Sequence, residues 1–408
     1  MLDETTAPSL KRALNLPLLV LYGLGVTIGA GIYVLIGAVA HHAGPAAYAA
    51  FAVAALVMCF TALSYSELTT RFPVSAGVAA FVLKGFRSHG LSRAVGLLVI
   101  AMGLVSAAAI ASGSVGYLRH FIELPPPPLL ALVVLAMAAI AAYGIVESAM
   151  FTAVLSTIEI GGLMVIVVAA FLIEPEPLAA AVTIAMSAAD PAWWPGMLAA
   201  GLLAFFAFIG FESLANVAEE ARLPHRTMPL AILLTLGIST LLYMMLAIAA
   251  VSVVTPAELA GSPAPLSLVF ERVTGLPPWI MSLVAIMATL NGIVVQLIMV
   301  SRLMHGMARL GTLPALFGYV HPGTRTPLAA TAIAALLVYL ATLALPLERL
   351  AEATSLISLV IFALVDLALI VIKLRDGLPP EGTFEIPLAV PAVGFLACLG
   401  LLAAALWL

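Results

Sequence analysis

Apolar residues along this chain follow neither a two-residue nor a 3.6-residue alternation. They dominate stretches of about twenty positions or more, and most of the charged residues collect in or near the gaps. Runs long enough to cross a bilayer as helices fall at 14–40, 46–70, 91–119, 129–146, 150–172, 196–221, 228–254, 279–305, 327–345, 351–373 and 387–408, which makes eleven spans. A transmembrane barrel would show segments of about ten alternating residues instead. Strong punctuation separates the runs, notably Pro125 to Pro128, Pro191 to Pro195, Pro277 with Pro278, and Pro379 with Pro380. The expected fold is an all-α integral membrane protein.

Composition agrees. Of 408 residues, 64% are hydrophobic and 9% charged, far from the roughly 45–50% and 25% of soluble domains. The lone cysteines, Cys59 and Cys398, lie inside apolar runs and offer neither a disulfide framework nor a metal site. The N-terminal segment 1–13 reads as uncleaved, because Lys11 and Arg12 lead directly into a long span. Counting Lys and Arg on alternate sides puts 13 on one face and 3 on the other, which orients the N-terminus to the cytoplasm and, after eleven spans, the C-terminus outside.

Spans 1 and 6 are unusual. Span 1 carries Gly23, Gly25, Gly29, Gly31 and Gly37; span 6 carries Gly210 and Glu212 at similar depth. Mid-helix glycine costs up to about 1 kcal/mol and a charged residue at membrane depth about 2.5–3.5 kcal/mol. Gly29 and Gly210 lie 181 positions apart, each in the first span of a block of five. That pattern predicts a 5+5 inverted repeat with interrupted helices at a central site: first repeat 14–172, second repeat 196–373, and an additional span 387–408.

Unwinding within a membrane leaves backbone groups without partners unless they face a ligand or water. The outer half of span 1 presents N–H groups and a positive dipole end to an anion such as a carboxylate. The carbonyls of Phe206 to Ile209 attract a cation such as an ammonium. Together the two receptors describe an α-amino acid. For Gly23 and Gly37, close helix packing is the simpler reading.

The same residues carry a family resemblance. Gly25-Val-Thr-Ile-Gly-Ala-Gly-Ile-Tyr33, Tyr65-Ser-Glu-Leu68 before Arg71-Phe-Pro-Val-Ser75, and Phe205-Phe-Ala-Phe-Ile-Gly-Phe-Glu212 with Glu219, Glu220 and Pro224 resemble the amino acid, polyamine and organocation transporter family. Ser301-Arg302, Met307-Ala-Arg309, Leu313-Pro314 and His321-Pro322 through Thr326-Pro327 extend the likeness over nearly the whole chain, in the manner of cationic amino acid transporter-like bacterial permeases. The resemblance implies the leucine-transporter-type fold, alternating access, and substrate held by Thr27-Ile28-Gly29-Ala30-Gly31 and Phe206-Ala207-Phe208-Ile209-Gly210, with Asn291 a further pocket candidate. Members usually have twelve spans, one more than here. Sodium-independent relatives often carry a lysine in span 5, where this chain has Glu159.

Glu159 lies well inside span 5 with no Lys or Arg in that helix, so burial disfavours its charged form. It is the candidate coupling residue, with a static hydrogen-bond role as the alternative. Glu212 either lines the site or caps the broken backbone. Asp366, two turns before Lys373, is expected to pair within its helix or at the cytoplasmic rim, with a role in transport as the alternative. Glu67, Arg71, Glu219 and Arg222 are candidates for an inner-gate charge network, or ordinary solvated helix ends, and Phe206 is a candidate gate over the substrate.

An enzyme is disfavoured because all seven histidines lie at or near span ends, leaving no nucleophile activation or metal cluster at depth. No Walker-type phosphate loop is present, and an internal repeat argues against a channel ring. The expectation is a secondary amino acid transporter in the plasma membrane, proton-coupled and sodium-independent, for neutral or broad substrates. An exchanger for cationic substrates and a non-transporting sensor are the alternatives. A coupling proton and the lipid bilayer are its partners, the monomer is favoured, and no cofactor or nucleic acid is implied.

Overall fold

A computed structural model describes residues 14–72, 77–143, 149–173, 193–377, 379 and 382–407. The segment 1–13 and most of the connection between spans 5 and 6 lie outside these residues. Among the described residues the secondary structure is helical, apart from one isolated parallel bridge between Leu14 and Ala221. All eleven apolar runs are helices. Span 1 is Leu16–Ile28 and Ala30–Ala43, span 2 Ala47–Arg71, span 3 His89–Leu118, span 4 Pro126–Tyr143 and span 5 Ala149–Ile173. Span 6 is Trp194–Phe208 followed by a 3₁₀ stretch Phe211–Glu220; spans 7 to 11 are Pro224–Val253, Trp279–Arg309, Leu328–Ala344, Leu347–Asp376 and Ala389–Trp407. Several helices carry the prolines that mark the gaps in their first turn, as at Pro126, Pro195 and Pro224, because proline suits a first turn whose N–H has no helical partner.

Packing pairs each of the first four spans with the span five places later. Span 2 lies along span 7, span 3 along span 8, span 4 along span 9, and the outer half of span 1 along that of span 6. Span 11 covers spans 10 and 2. Large side chains such as Leu135, Leu172, Leu336 and Leu406 are exposed, as an outer surface in contact with hydrocarbon requires. The chain is therefore a multi-pass membrane protein.

The charged residues at the end of span 2 are buried. Glu67 is fully enclosed and pairs with Arg71 at 2.6 Å and Lys373 of span 10 at 2.8 Å. Its other oxygen accepts the Ile386 N–H at 2.9 Å, while Lys373 donates to the Ile386 carbonyl at 2.7 Å. This corrects the expected pairing of Asp366: Lys373 belongs to Glu67, and Asp366 is bonded by Thr61 of span 2 at 2.8 Å. Helix geometry explains the outcome, since residues seven apart on a parallel neighbour face different levels of span 2. The clasp fastens spans 2 and 10 and the segment that leads into span 11. Removing one member of a buried ion pair costs about 3–5 kcal/mol. With Arg71 still in place, Lys373→Met is expected to cost about 3 kcal/mol in unfolding experiments in detergent; a stability equal to that of wild type would assign the seam to apolar packing alone.

Candidate functional site

Both interruptions occur where the glycines stand. Span 1 leaves helical geometry at Gly29 (φ −36°, ψ −125°), and Ala30–Ala43 restarts with no side chain capping its first turn. Span 6 ends as an α-helix at Phe208; Ile209 is extended and Gly210 has φ +137°, a value that L side chains rarely adopt. The inner half continues as a ten-residue 3₁₀ helix rather than an α-helix, longer than such helices usually run.

The two breaks touch each other. A Cβ on Gly31 would lie 2.6 Å from the Ala207 Cα, and one on Gly210 would lie 2.7 Å from the Val26 carbonyl oxygen. Glycine at these positions lets the unwound stretches cross at backbone distance. Tyr243 of span 7 lies against the crossing, its hydroxyl 2.8 Å from the Thr27 carbonyl and 3.0 Å from that of Ala207. Its ring packs on Phe208 and Phe51. Glu212 accepts the Gly210 N–H at 2.8 Å, so it holds the broken backbone and also borders the cavity beside it.

That cavity has a volume of about 580 Å³ and reaches from the breaks towards the basic face, past Ser213, Asn216 and Arg302. On the opposite side the helices close. Gly113 packs against Val34, and Tyr117 donates to the Tyr33 carbonyl.

Of the residues singled out in the sequence, Thr27, Gly29, Ala30, Gly31, Phe206, Ile209 and Asn291 border the cavity. Ile28 is buried, Ala207 packs on Gly31, Phe208 belongs to the aromatic contact with Tyr243, and Gly210 shapes the turn. Gly23 and Gly37 are close-packing positions, against Thr235 and Leu259. Glu159 is buried; its backbone carbonyl accepts the Tyr33 hydroxyl at 2.9 Å, and its carboxyl is within electrostatic reach of Tyr33 and Tyr243. Glu67 and Arg71 join Lys373, whereas Arg222 bonds through its backbone N–H to the Leu14 carbonyl at 2.8 Å and Glu219 lies on the 3₁₀ stretch. Missing from the sequence reading is Tyr243, which had no local motif; Gln296, which reads from the sequence as polar packing between helices, donates its amide to Ser106 at 3.3 Å beside the cavity. A lone tyrosine in an apolar span, needing a partner for its hydroxyl, was the available signal for Tyr243.

The profile of the amino acid permease family matches residues 14–408. The chain is 30% identical to the branched-chain amino acid permease BcaP of Bacillus subtilis, over 97% of this chain and 88% of that protein. It is 29% identical to the cationic amino acid transporter 3, mitochondrial, of Arabidopsis thaliana, over 93% of this chain and 64% of the relative. With the cationic amino acid transporter 4 of Homo sapiens the identity is 30%, over 93% and 62%. The chain thus spans most of the bacterial relative and under two thirds of the plant and human ones.

Tyr243→Phe keeps the ring and removes only the donor shared by two buried carbonyls. Leaving such groups unsatisfied is expected to lower the unfolding free energy by about 1–3 kcal/mol. An unchanged value would mean that the crossing is held by packing without the hydroxyl.

Proposed function

This chain belongs to the amino acid permease family, so it is an amino acid transporter rather than an enzyme, and from that premise we propose that it works by alternating access around the crossed breaks of spans 1 and 6. The observation that carries the proposal is the reciprocal contact of Gly31 with Ala207 and Gly210 with Val26, at the head of a cavity that extends to one face of the molecule. The substrate carboxylate docks at the uncapped first turn of Ala30–Ala43, and its amine at the carbonyl end of Trp194–Phe208. The pairing of spans 1 to 4 with spans 6 to 9 supports two inverted repeats, residues 14–172 and 196–373, with 387–408 outside them. With the basic face in the cytoplasm, the cavity is open inward.

Around the breaks the cavity is walled by Met102, Val99, Ile110 and Met299. This favours aliphatic, neutral side chains, in keeping with the branched-chain permease among its relatives. Glu212 at the cavity wall favours a second reading, an exchanger of cationic amino acids like the transporters named in other relatives. Glu159 carries the coupling proton, because a buried carboxyl beside the Tyr33 and Tyr243 hydroxyls communicates with both breaks. Sodium is not required in this scheme, and the transporter works as a monomer.

Thermal shift across the twenty amino acids is expected to show stabilisation by leucine, isoleucine and valine; stabilisation confined to lysine and arginine would establish the cationic reading. In proteoliposomes Glu159→Gln is expected to abolish accumulation driven by a pH gradient while counterflow persists. Gradient-driven accumulation at the wild-type level would remove Glu159 from coupling, and tight binding with no counterflow in the wild type would make the protein a sensor.

A further inference from the structure

Asp366 is fully buried in the middle of span 10, at the seam where spans 2, 10 and 11 meet. Thr61 donates to one of its oxygens at 2.8 Å, and the Cys398 thiol lies 3.9 Å from the same Thr61 hydroxyl. Its other oxygen is buried with no hydrogen-bond partner among the described residues. Gly394 of span 11 sits so close that a Cβ there would be 2.7 Å from the carboxyl. Ser64, beside it on span 2, has its hydroxyl shared between the Phe60 carbonyl at 3.2 Å and the Asp366 carboxyl, so two hydroxyls and no cation among the described residues face the acid. The nearest cation along its own helix, Lys373, is engaged by Glu67 and Ile386. A carboxylate enclosed by hydroxyl, thiol and glycine, with no cation in contact among the described residues, is poorly compensated for its charge. The neutral acid fits this enclosure, and its own O–H supplies a donor that the carboxylate lacks.

One turn along span 2 stands Tyr65. Its ring is caged edge-on by Phe81, Phe211 and Phe362, and its hydroxyl is buried without a partner among the described residues. The hydroxyl is within electrostatic reach of Asp366 and Cys398 and also of Glu212, the residue that holds the Gly210 N–H. We infer that Asp366 is a second proton-binding site of the transporter, connected through the Tyr65 hydroxyl to Glu212 at the break in span 6. In the transfer, Asp366 releases its proton to the Tyr65 oxygen while the Tyr65 proton passes to the Glu212 carboxylate, across gaps that the Tyr65 hydroxyl does not hydrogen-bond over in this structure and that water entering from the cavity would have to bridge. Asp366 becomes the carboxylate, Glu212 the neutral acid, and Tyr65 is unchanged. A neutral Glu212 accepts the Gly210 N–H more weakly than a carboxylate does, so the proton's position sets how firmly the break is held.

The inference rests on the transport reading and is tested beside it. Counterflow of leucine is measured against symmetrical pH in wild type, Glu159→Gln, Asp366→Asn, Tyr65→Phe and the Glu159→Gln/Asp366→Asn pair. Asparagine imitates the neutral acid and phenylalanine keeps the aromatic cage, so both variants are expected to remain folded and to exchange. The expected result is one titration step fewer in each of Glu159→Gln and Asp366→Asn and two fewer in the double variant, any remaining step belonging to Glu212, with Tyr65→Phe losing the step assigned to Asp366. A pH-jump infrared difference spectrum is expected to lose one carboxyl band in Asp366→Asn, which reads the site without transport. A pH profile and spectrum of Asp366→Asn superimposable on wild type would overturn the inference and leave Asp366 a fixed hydrogen-bond acceptor. Absence of leucine counterflow in wild type would instead overturn the transport reading, and the infrared band would still decide the site.

Discussion

Two helices give up their hydrogen bonds at membrane depth, and the rest of the molecule is arranged around that cost. A lost backbone bond in hydrocarbon is worth several kcal/mol per group, so the breaks persist only because other elements serve the freed groups. Tyr243 takes the carbonyls of Thr27 and Ala207 together, and Glu212 takes the Gly210 N–H. Glycine at 31 and 210 brings the two stretches to backbone contact. In the proposed scheme the backbone groups left over by the protein serve the two charged ends of the substrate.

The same economy governs the charges. The side chains that are charged and enclosed are few and each has a defined surrounding. Glu67 is saturated by Arg71, Lys373 and the Ile386 N–H, and Lys373 also pairs with Glu385 at 3.7 Å, a charge-balanced clasp that fixes spans 2 and 10 at the basic face. Higher in the same seam Asp366 has a hydroxyl in place of a cation. The seam thus holds one compensated carboxylate and one carboxyl for which the neutral form is the better fit, a few turns apart on the same pair of helices. A static seam needs only the first.

Much of this was legible in the sequence, and the division follows the range of the forces. Span positions come from local apolar length, so all eleven stand where the runs are. The breaks come from local glycine and the charge of Glu212, so both fall at the expected residues. Asp366 was assigned to the wrong partner because its true one, Thr61, is 305 positions away. Tyr243 escaped notice for the same reason, its bond to Thr27 crossing 216 positions. Nor does the pattern distinguish a 3₁₀ from an α inner half in span 6, since hydropathy at this length fits either; the stretch packs against spans 1, 2 and 7.

The central claim is that unwound backbone, rather than side-chain charge, recognises the two ends of the substrate. It is tested most directly by counterflow competition in proteoliposomes with leucine, leucine amide and N-acetyl-leucine. The account predicts that leucine competes while blocking either the carboxylate or the amine lowers apparent affinity at least tenfold, the loss of about 1.4 kcal/mol at one end. Equal competition by all three compounds would contradict it.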